Sequence, residues 1–174
     1  LLLVALGRAA LPQTDIGCTE AHGTGTALGD PTEAGALASV HGVDGRAAPL
    51  VLGAAKASVG HSEACSGQVG VLTAQRQLQA VVAVGNAQLR VLNPLVGERL
   101  GSHAGCFAVP LHSMPSTGAG SSGVSSFGYS GTIAHMVLRC AAAESSAAWG
   151  SVPAVAYRRR AFVWADRPHP FMQH

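Results

Sequence analysis

Glu20-Ala-His22-Gly-Thr-Gly-Thr-Ala-Leu-Gly-Asp30-Pro-Thr-Glu33 packs one histidine, three glycines, three threonines and three acids into fourteen residues. Gly23, Gly25 and Gly29 allow backbone angles that a Cβ would forbid. A histidine on such a loop can be held close to a ligand by backbone rather than by a long side chain. Asp30-Pro31 reads as a helix start, with Asp30 as N-cap, Pro31 at the first helical position and Glu33 three residues on, as in a capping box. His22 is therefore expected on a tight loop leading into a helix from Pro31 to about Val40.

Two further stretches share this character. Lys56-Ala-Ser-Val-Gly-His61-Ser-Glu63-Ala-Cys-Ser-Gly67 again puts a histidine after a glycine and before a helix start, with Ser62 as the expected cap. That helix is expected to run from Ser62 to about Val84, apolar at Val69, Leu72 and Ala80, with Gln75, Arg76, Gln77 and Gln79 on its wetter side. Ser125-Ser-Phe127-Gly-Tyr129-Ser-Gly-Thr-Ile133-Ala-His135 is a Gly/Ser turn between apolar runs, expected as a hairpin of strands Val124–Phe127 and Ile133–Leu138. Asp15–Glu20 reads as a short strand delivering the first loop, and Leu50–Gly53 as a buried strand feeding the second. Strand, loop and helix repeated twice is an α/β pattern. A first helix is expected over Leu1–Ala10, stopping before Pro12. Asn93-Pro94 reads as a turn, Cys106–Leu111 as containing a short strand, and Ser113–Gly123 as a loop. Ala141–Gly150 has a linker's composition.

Composition narrows the possibilities. The 174 residues suffice for one domain. With 48% hydrophobic and 11% charged residues the chain is more apolar than a free monomer of average make-up, whose charged fraction is about 25%. Part of a larger fold, with faces that need a partner, is the expected explanation. The net charge of +2 carries no basic stripe interleaved with aromatics, so nucleic-acid binding has no support. Lys56 is the sole lysine. Cys18, Cys65, Cys106 and Cys140 show no CxxC spacing, and reduced thiols in a cytoplasmic setting are expected. All four read as small buried hydrophobes. The apolar start, Leu1–Leu6, is too short to span a bilayer and lacks a signal peptide's flanks. It reads as the remainder of an interrupted helix, so the chain is expected to be a fragment.

Taken together and in order, the three glycine-bounded motifs resemble the C-terminal half of a β-ketoacyl synthase, the condensing domain of polyketide and fatty-acid synthases. The family's equivalents are a His-Gly-Thr-Gly-Thr loop, a Lys-Ser-Asn-x-Gly-His-Thr-Glu loop and a Ser-Phe-Gly-x-Ser-Gly-Thr-Asn-Ala-His turn. The resemblance spans roughly Leu11 to Arg139. It implies a thiolase-like αβαβα fold, of which this is the C-terminal half, with residues 1–140 in the ketosynthase and 141–174 a linker toward a following domain. It implies acyltransferase chemistry: decarboxylative Claisen condensation of acyl and malonyl thioesters. His22 and His61 match the two catalytic histidines, whose N–H donors would converge on the malonyl thioester oxygen as an oxyanion hole. Lys56 and Glu63 match the motif residues beside the second histidine and are assigned its electrostatic support; Glu63 also reads simply as a first-turn acid. Phe127, Gly128 and Tyr129 match the acyl-site turn, and Thr24 and Thr26 belong to the first loop's substrate-binding threonines. For the Tyr129 ring, gating the acyl pocket and packing in a core both stand. The resemblance implies substrates carried on the phosphopantetheine of an acyl carrier protein, no cofactor bound by the chain itself, the N-terminal half as partner, and a homodimer.

The departures are specific. The family's nucleophile sits in a Thr-Ala-Cys-Ser-Ser elbow, and nothing here matches it. Ile133 replaces the Asn of Gly-Thr-Asn-Ala-His, and Ala57 and Ser58 replace Ser and Asn of the second loop. Two readings follow: part of a condensing enzyme whose nucleophile lies on other sequence, inactive alone; or a degenerate ketosynthase kept as a dimerisation or docking scaffold. Gly23–Gly29 resembles a dinucleotide fingerprint, but no long apolar strand precedes it and no acid lies about twenty residues beyond the last glycine. The eight histidines lack paired metal-ligand spacing, and Gly128-Tyr-Ser-Gly131 is not a serine-hydrolase elbow.

Overall fold

Short all-buried strands at the centre of a parallel sheet organise the molecule. The computed structural model describes residues 1–116 and 120–140; the stretch read as a linker, 141–174, lies outside them. Strand β1 (Cys18–Glu20) is flanked in parallel by β2 (Leu50–Gly53) and by β6 (Ser121–Phe127). β4 (Phe107–Ala108) pairs in parallel with β2, and β7 (Ile133–Arg139) pairs antiparallel with β6. The order is β4-β2-β1-β6-β7 in a five-stranded sheet; β3 (Val82–Ala83) and β5 (Met114–Pro115) form a separate antiparallel pair.

The continuous apolar run Leu50-Val-Leu is read correctly as a strand buried on both faces. Leu50 and Leu52 join Leu6, Leu37 and Phe107 in one core, while Val51 joins Cys18 and Ala83 in the other. The first core is supplied by α1 (Leu2–Ala9), α2 (Gly29–His41) and α5 (Pro94–Leu100). Against β6 and β1 lies α4 (Ser66–Ala80). Among the described residues no helix is long and apolar enough to cross a membrane.

Four expectations need correction. First, α2 begins at Gly29, and neither acid caps it. The Asp30 carboxylate accepts the N–H of Gly25, and Glu33 turns to the His22 loop, so the acids hold the loop instead of closing a capping box. Second, α4 is shorter than expected at both ends. Ser62 makes no side-chain cap; a 3₁₀ turn, Glu63–Cys65, comes first, and Val81 at φ 54° ends the helix. The β-branched residues beyond prefer extended backbone, and Val82 enters β3. Its buried stripe is Ser66, Gly70, Ala74 and Gln77, while Leu72 is 60% exposed. Gly70 decides this, since a Cβ there would stand 3.1 Å from Val124 Cγ1, so small residues set the contact face.

Third, Asn93-Pro94 is a helix start: the Asn93 side chain accepts the N–H of Leu95 at 3.0 Å and Pro94 takes the first position of α5. Fourth, β6 begins at Ser121, inside the expected loop. Ser121, Ser122 and Ser125 are buried with bonded hydroxyls, so Ser/Gly composition here marks a polar interior strand. The expected hairpin is present, with Phe127 opposite Ile133. The second histidine loop also holds a single helical turn, α3 (Lys56–Val59).

Candidate active site

The two histidine loops leave the carboxyl ends of adjacent parallel strands, β1 and β2, where ligand sites in such sheets form. In the first loop Gly23 and Gly25 take positive φ, 44° and 75°. The backbone then turns its N–H groups inward, where Glu33 accepts those of His22 at 2.8 Å and Gly23 at 3.0 Å. Burial pushes the Glu33 carboxyl up, and the two loop N–H groups oppose that rise. Thr26 Oγ1 accepts the N–H of Gly29 at 3.1 Å and lies 3.3 Å from Thr24 Oγ1, so Thr26 serves the helix start.

In the second loop His61 Nδ1 accepts the N–H of Glu63 at 2.9 Å and faces the Ser66 hydroxyl at 2.9 Å. A ring nitrogen that accepts an N–H is unprotonated, so the ring proton of neutral His61 sits on Nε2. The same logic holds for His22, whose Nδ1 accepts the N–H of Phe127 at 3.3 Å. Glu63 touches His61 through its backbone; its carboxylate is exposed and makes no bond to the ring. The left-handed φ of Glu63, 47°, turns its N–H toward the ring.

The rings of His22 and His61 lie side by side, centroids 5.8 Å apart and planes at 88°. Phe127 packs on His22 with centroids 5.1 Å apart. Burial lowers the pKa of His22, and the neighbouring Lys56 and His61 charges lower it further, which favours the neutral ring. Lys56 is lowered by burial and drawn back up by Glu20, Glu33 and Asp30, in that order. A cavity of about 480 Å³ opens beside the loops, walled by His61, Lys56, Thr24 and Glu33 and, opposite, by Leu89 and Val91. His22 is not in its wall.

The third motif delivers less than expected. Phe127 and its N–H reach His22, and Gly128 closes the turn by donating to the Thr132 carbonyl at 2.6 Å. Tyr129 at the tip is fully exposed, so its ring packs in no core. Ile133 is 57% exposed at the start of β7. The expectation that all four cysteines are buried is also corrected: Cys18 is buried and Cys106 half-buried, but Cys65 and Cys140 are exposed. Burial raises the Cys18 thiol, which opposes thiolate formation.

Residues 1–90 match the family model described as the beta-ketoacyl synthase, C-terminal domain. The chain belongs to the β-ketoacyl synthase family. Erythronolide synthase EryA2 of Saccharopolyspora erythraea is 38% identical over 181 residues, covering 98% of this chain and 5% of the relative. Polyketide synthase GfsA of Streptomyces halstedii is 40% identical over 149 residues, covering 81% of this chain and 2% of the relative. The solved oxazolomycin ketosynthase domain from Streptomyces albus superposes with a TM-score of 0.71 at 31% identity, over 82% of this chain and 26% of that one. The ketosynthase segment thus spans a small part of the curated relatives and about a quarter of the solved domain, and its fold is that of thiolase-like ketosynthases.

Three residues of this candidate site escape sequence reasoning. Glu33 reads as a helix cap, because local spacing cannot show that it turns back to its own loop. Glu20 reads as a strand end, yet its carboxylate accepts the N–H of Ala55 in the other loop. Asn86 carries no sequence signal. It is buried, donates to the carbonyls of Leu52 and Pro110 at 3.1 and 3.2 Å, and accepts the N–H of Ala54 at 2.9 Å, which pins the start of the second loop.

Proposed function

We propose that the chain supplies the decarboxylation half of a β-ketoacyl synthase site, with His22 and His61 donating Nε2–H to the oxygen of a malonyl thioester as carbon dioxide leaves. The observation that carries this is the pairing of two adjacent imidazoles, each with Nδ1 held by a backbone N–H so that Nε2 bears the proton. Negative charge grows on the thioester oxygen in that step, and preoriented donors stabilise it without reorganising. Lys56 offsets part of the negative charge of Glu20, Glu33 and Asp30 beside the histidine loops, and Phe127, Gly128, Thr24 and Thr26 border the acyl and thioester path. Tyr129 contributes its backbone N–H to the acyl carbonyl.

The acyl nucleophile is a cysteine on the N-terminal half. Substrates ride on the phosphopantetheine arm of an acyl carrier protein, and the complete domain is a homodimer. Residues 1–140 belong to the ketosynthase and 141–174 to the linker that follows. Unpaired cysteines fit a reducing, cytoplasmic compartment. The chain alone performs no condensation.

The test is carbon dioxide release from a malonyl thioester by the complete synthase polypeptide. His22→Ala and His61→Ala are each expected to slow it by roughly 100- to 1000-fold. Rates within threefold of the parent for both variants refute the proposal, and the scaffold reading then stands.

A further inference from the structure

We propose that Glu20 is the positioning residue for Lys56: its carboxylate seats the loop that carries the lysine and supplies the buried negative charge that balances the ammonium. This rests on the reading of Lys56 as part of the condensing site. Glu20 ends β1 and is 4% exposed. Its Oε1 accepts the N–H of Ala55, the residue before Lys56. Its Oε2 is buried with no hydrogen-bond partner.

The surroundings are shaped for this carboxylate. A Cβ on Gly53 would stand 3.1 Å from Oε2, and one on Gly70 would stand 3.3 Å from Glu20 Cγ. Two neighbouring elements therefore lack a side chain where Glu20 lies. A buried carboxylate with one oxygen unbonded is costly unless a charge compensates it.

Lys56 is acted on by Glu20, Glu33 and Asp30, with Glu20 the strongest of the three. Glu20 is acted on by Lys56 and Glu33. Arg76 and Gln77 of α4 line the cavity of about 250 Å³ that Glu20 also lines, without bonding to it. Glu33 uses both oxygens on His22 and Gly23, and Asp30 uses both on Gly25. Of these three carboxylates only Glu20 has an oxygen without a hydrogen-bond partner, and it is the one bonded to the residue before Lys56. Burial, more than any neighbour, pushes its pKa up to about 7, and the Lys56 charge works against that rise.

Lys56 is the sole lysine, so an amine-reactive acylating probe followed by peptide mass mapping reports one side chain, separated from the α-amino group. Glu20→Gln keeps the shape and an acceptor for the Ala55 N–H while removing the charge. The pH midpoint of Lys56 labelling is expected to fall by about one unit in that variant, with circular dichroism unchanged. An unchanged midpoint overturns the proposal. On the unsubstituted chain, the logarithm of the labelling rate is expected to break near pH 7, where Glu20 gains its charge. A straight line through that range overturns it equally, whether or not the variant folds. Labelling requires no condensation, so the two readings separate. A complete synthase carrying Glu20→Gln, with Lys56 shifted but condensation at the parent rate, supports the positioning of Lys56 and refutes its part in the chemistry.

Discussion

Gly23→Ala tests whether the two histidine loops are built against one another. Gly23 sits at φ 44°, and a Cβ there would come within 2.9 Å of the Ala54 Cβ, at the start of the loop that carries Lys56 and His61. Two costs add. Left-handed backbone costs a residue with a Cβ about 1–2 kcal/mol, and forcing a methyl into an occupied contact costs about 1–3 kcal/mol. Their sum, about 2–5 kcal/mol, is a large share of a domain's total stability of about 5–15 kcal/mol. Urea unfolding followed by circular dichroism reads it: with a slope of about 2 kcal/mol per molar, the midpoint falls by roughly 1–2.5 M. The double variant Gly23→Ala/Ala54→Gly separates the costs, because removing the Ala54 methyl relieves the contact and leaves the backbone term. The expected coupling is about 1–3 kcal/mol in the stabilising direction. Additivity within about 0.5 kcal/mol refutes the idea that the loops touch through these two positions.

Three further outcomes are expected. Glu20, pushed up from 4.5 to about 7, binds its proton more tightly folded than unfolded, so its contribution is full below 4.5 and is lost as pH rises through about 7; Glu20→Gln should flatten the fall in denaturation midpoint across that window, and an unaltered slope counts against it. Burial, more than its charged neighbours, pushes His135 down to about 4, which gives the opposite sign: its contribution is full above 6.5 and is lost as pH falls toward 4, so its Cε1 proton resonance should stay unshifted from pH 8 to 5.5, and a midpoint near 6.5 would contradict its burial against Ser125. Asn86→Ala removes three hydrogen bonds and strands the Ala54 N–H; a loss of about 2–4 kcal/mol is expected, with hydrogen exchange at Ala54 speeding up more than at Leu6, and equal acceleration at both sites would remove its local role.

Much of the fold is legible in residue order because its signals are local. The Leu50–Leu52 run announces a strand buried on both faces, and the turn between Phe127 and Ile133 sets the hairpin register. The errors share a cause. Asp30-Pro31 and Asn93-Pro94 present nearly the same local signature, yet only Asn93 caps its helix. Asp30 and Glu33 bond to a loop that folds back on them, and that choice depends on three-dimensional proximity. Val69 and Leu72 read as the inner face of α4, but Gly70, Ala74 and Gln77 take it, because Val124 beneath leaves no room for a side chain at Gly70.

Residue types and spacings along the chain were enough to name the family motifs, the two imidazoles and the lone lysine. They could not say which nitrogen of each ring bears the proton, because that is set by N–H groups of Glu63 and of Phe127, the latter 105 positions from His22. Nor could they show that the carboxylate closing β1 reaches into the neighbouring loop, a contact 35 positions long. Spacing along a chain encodes only what neighbours in that chain can do. Protonation site and charge compensation depend on which groups folding brings within a few ångströms.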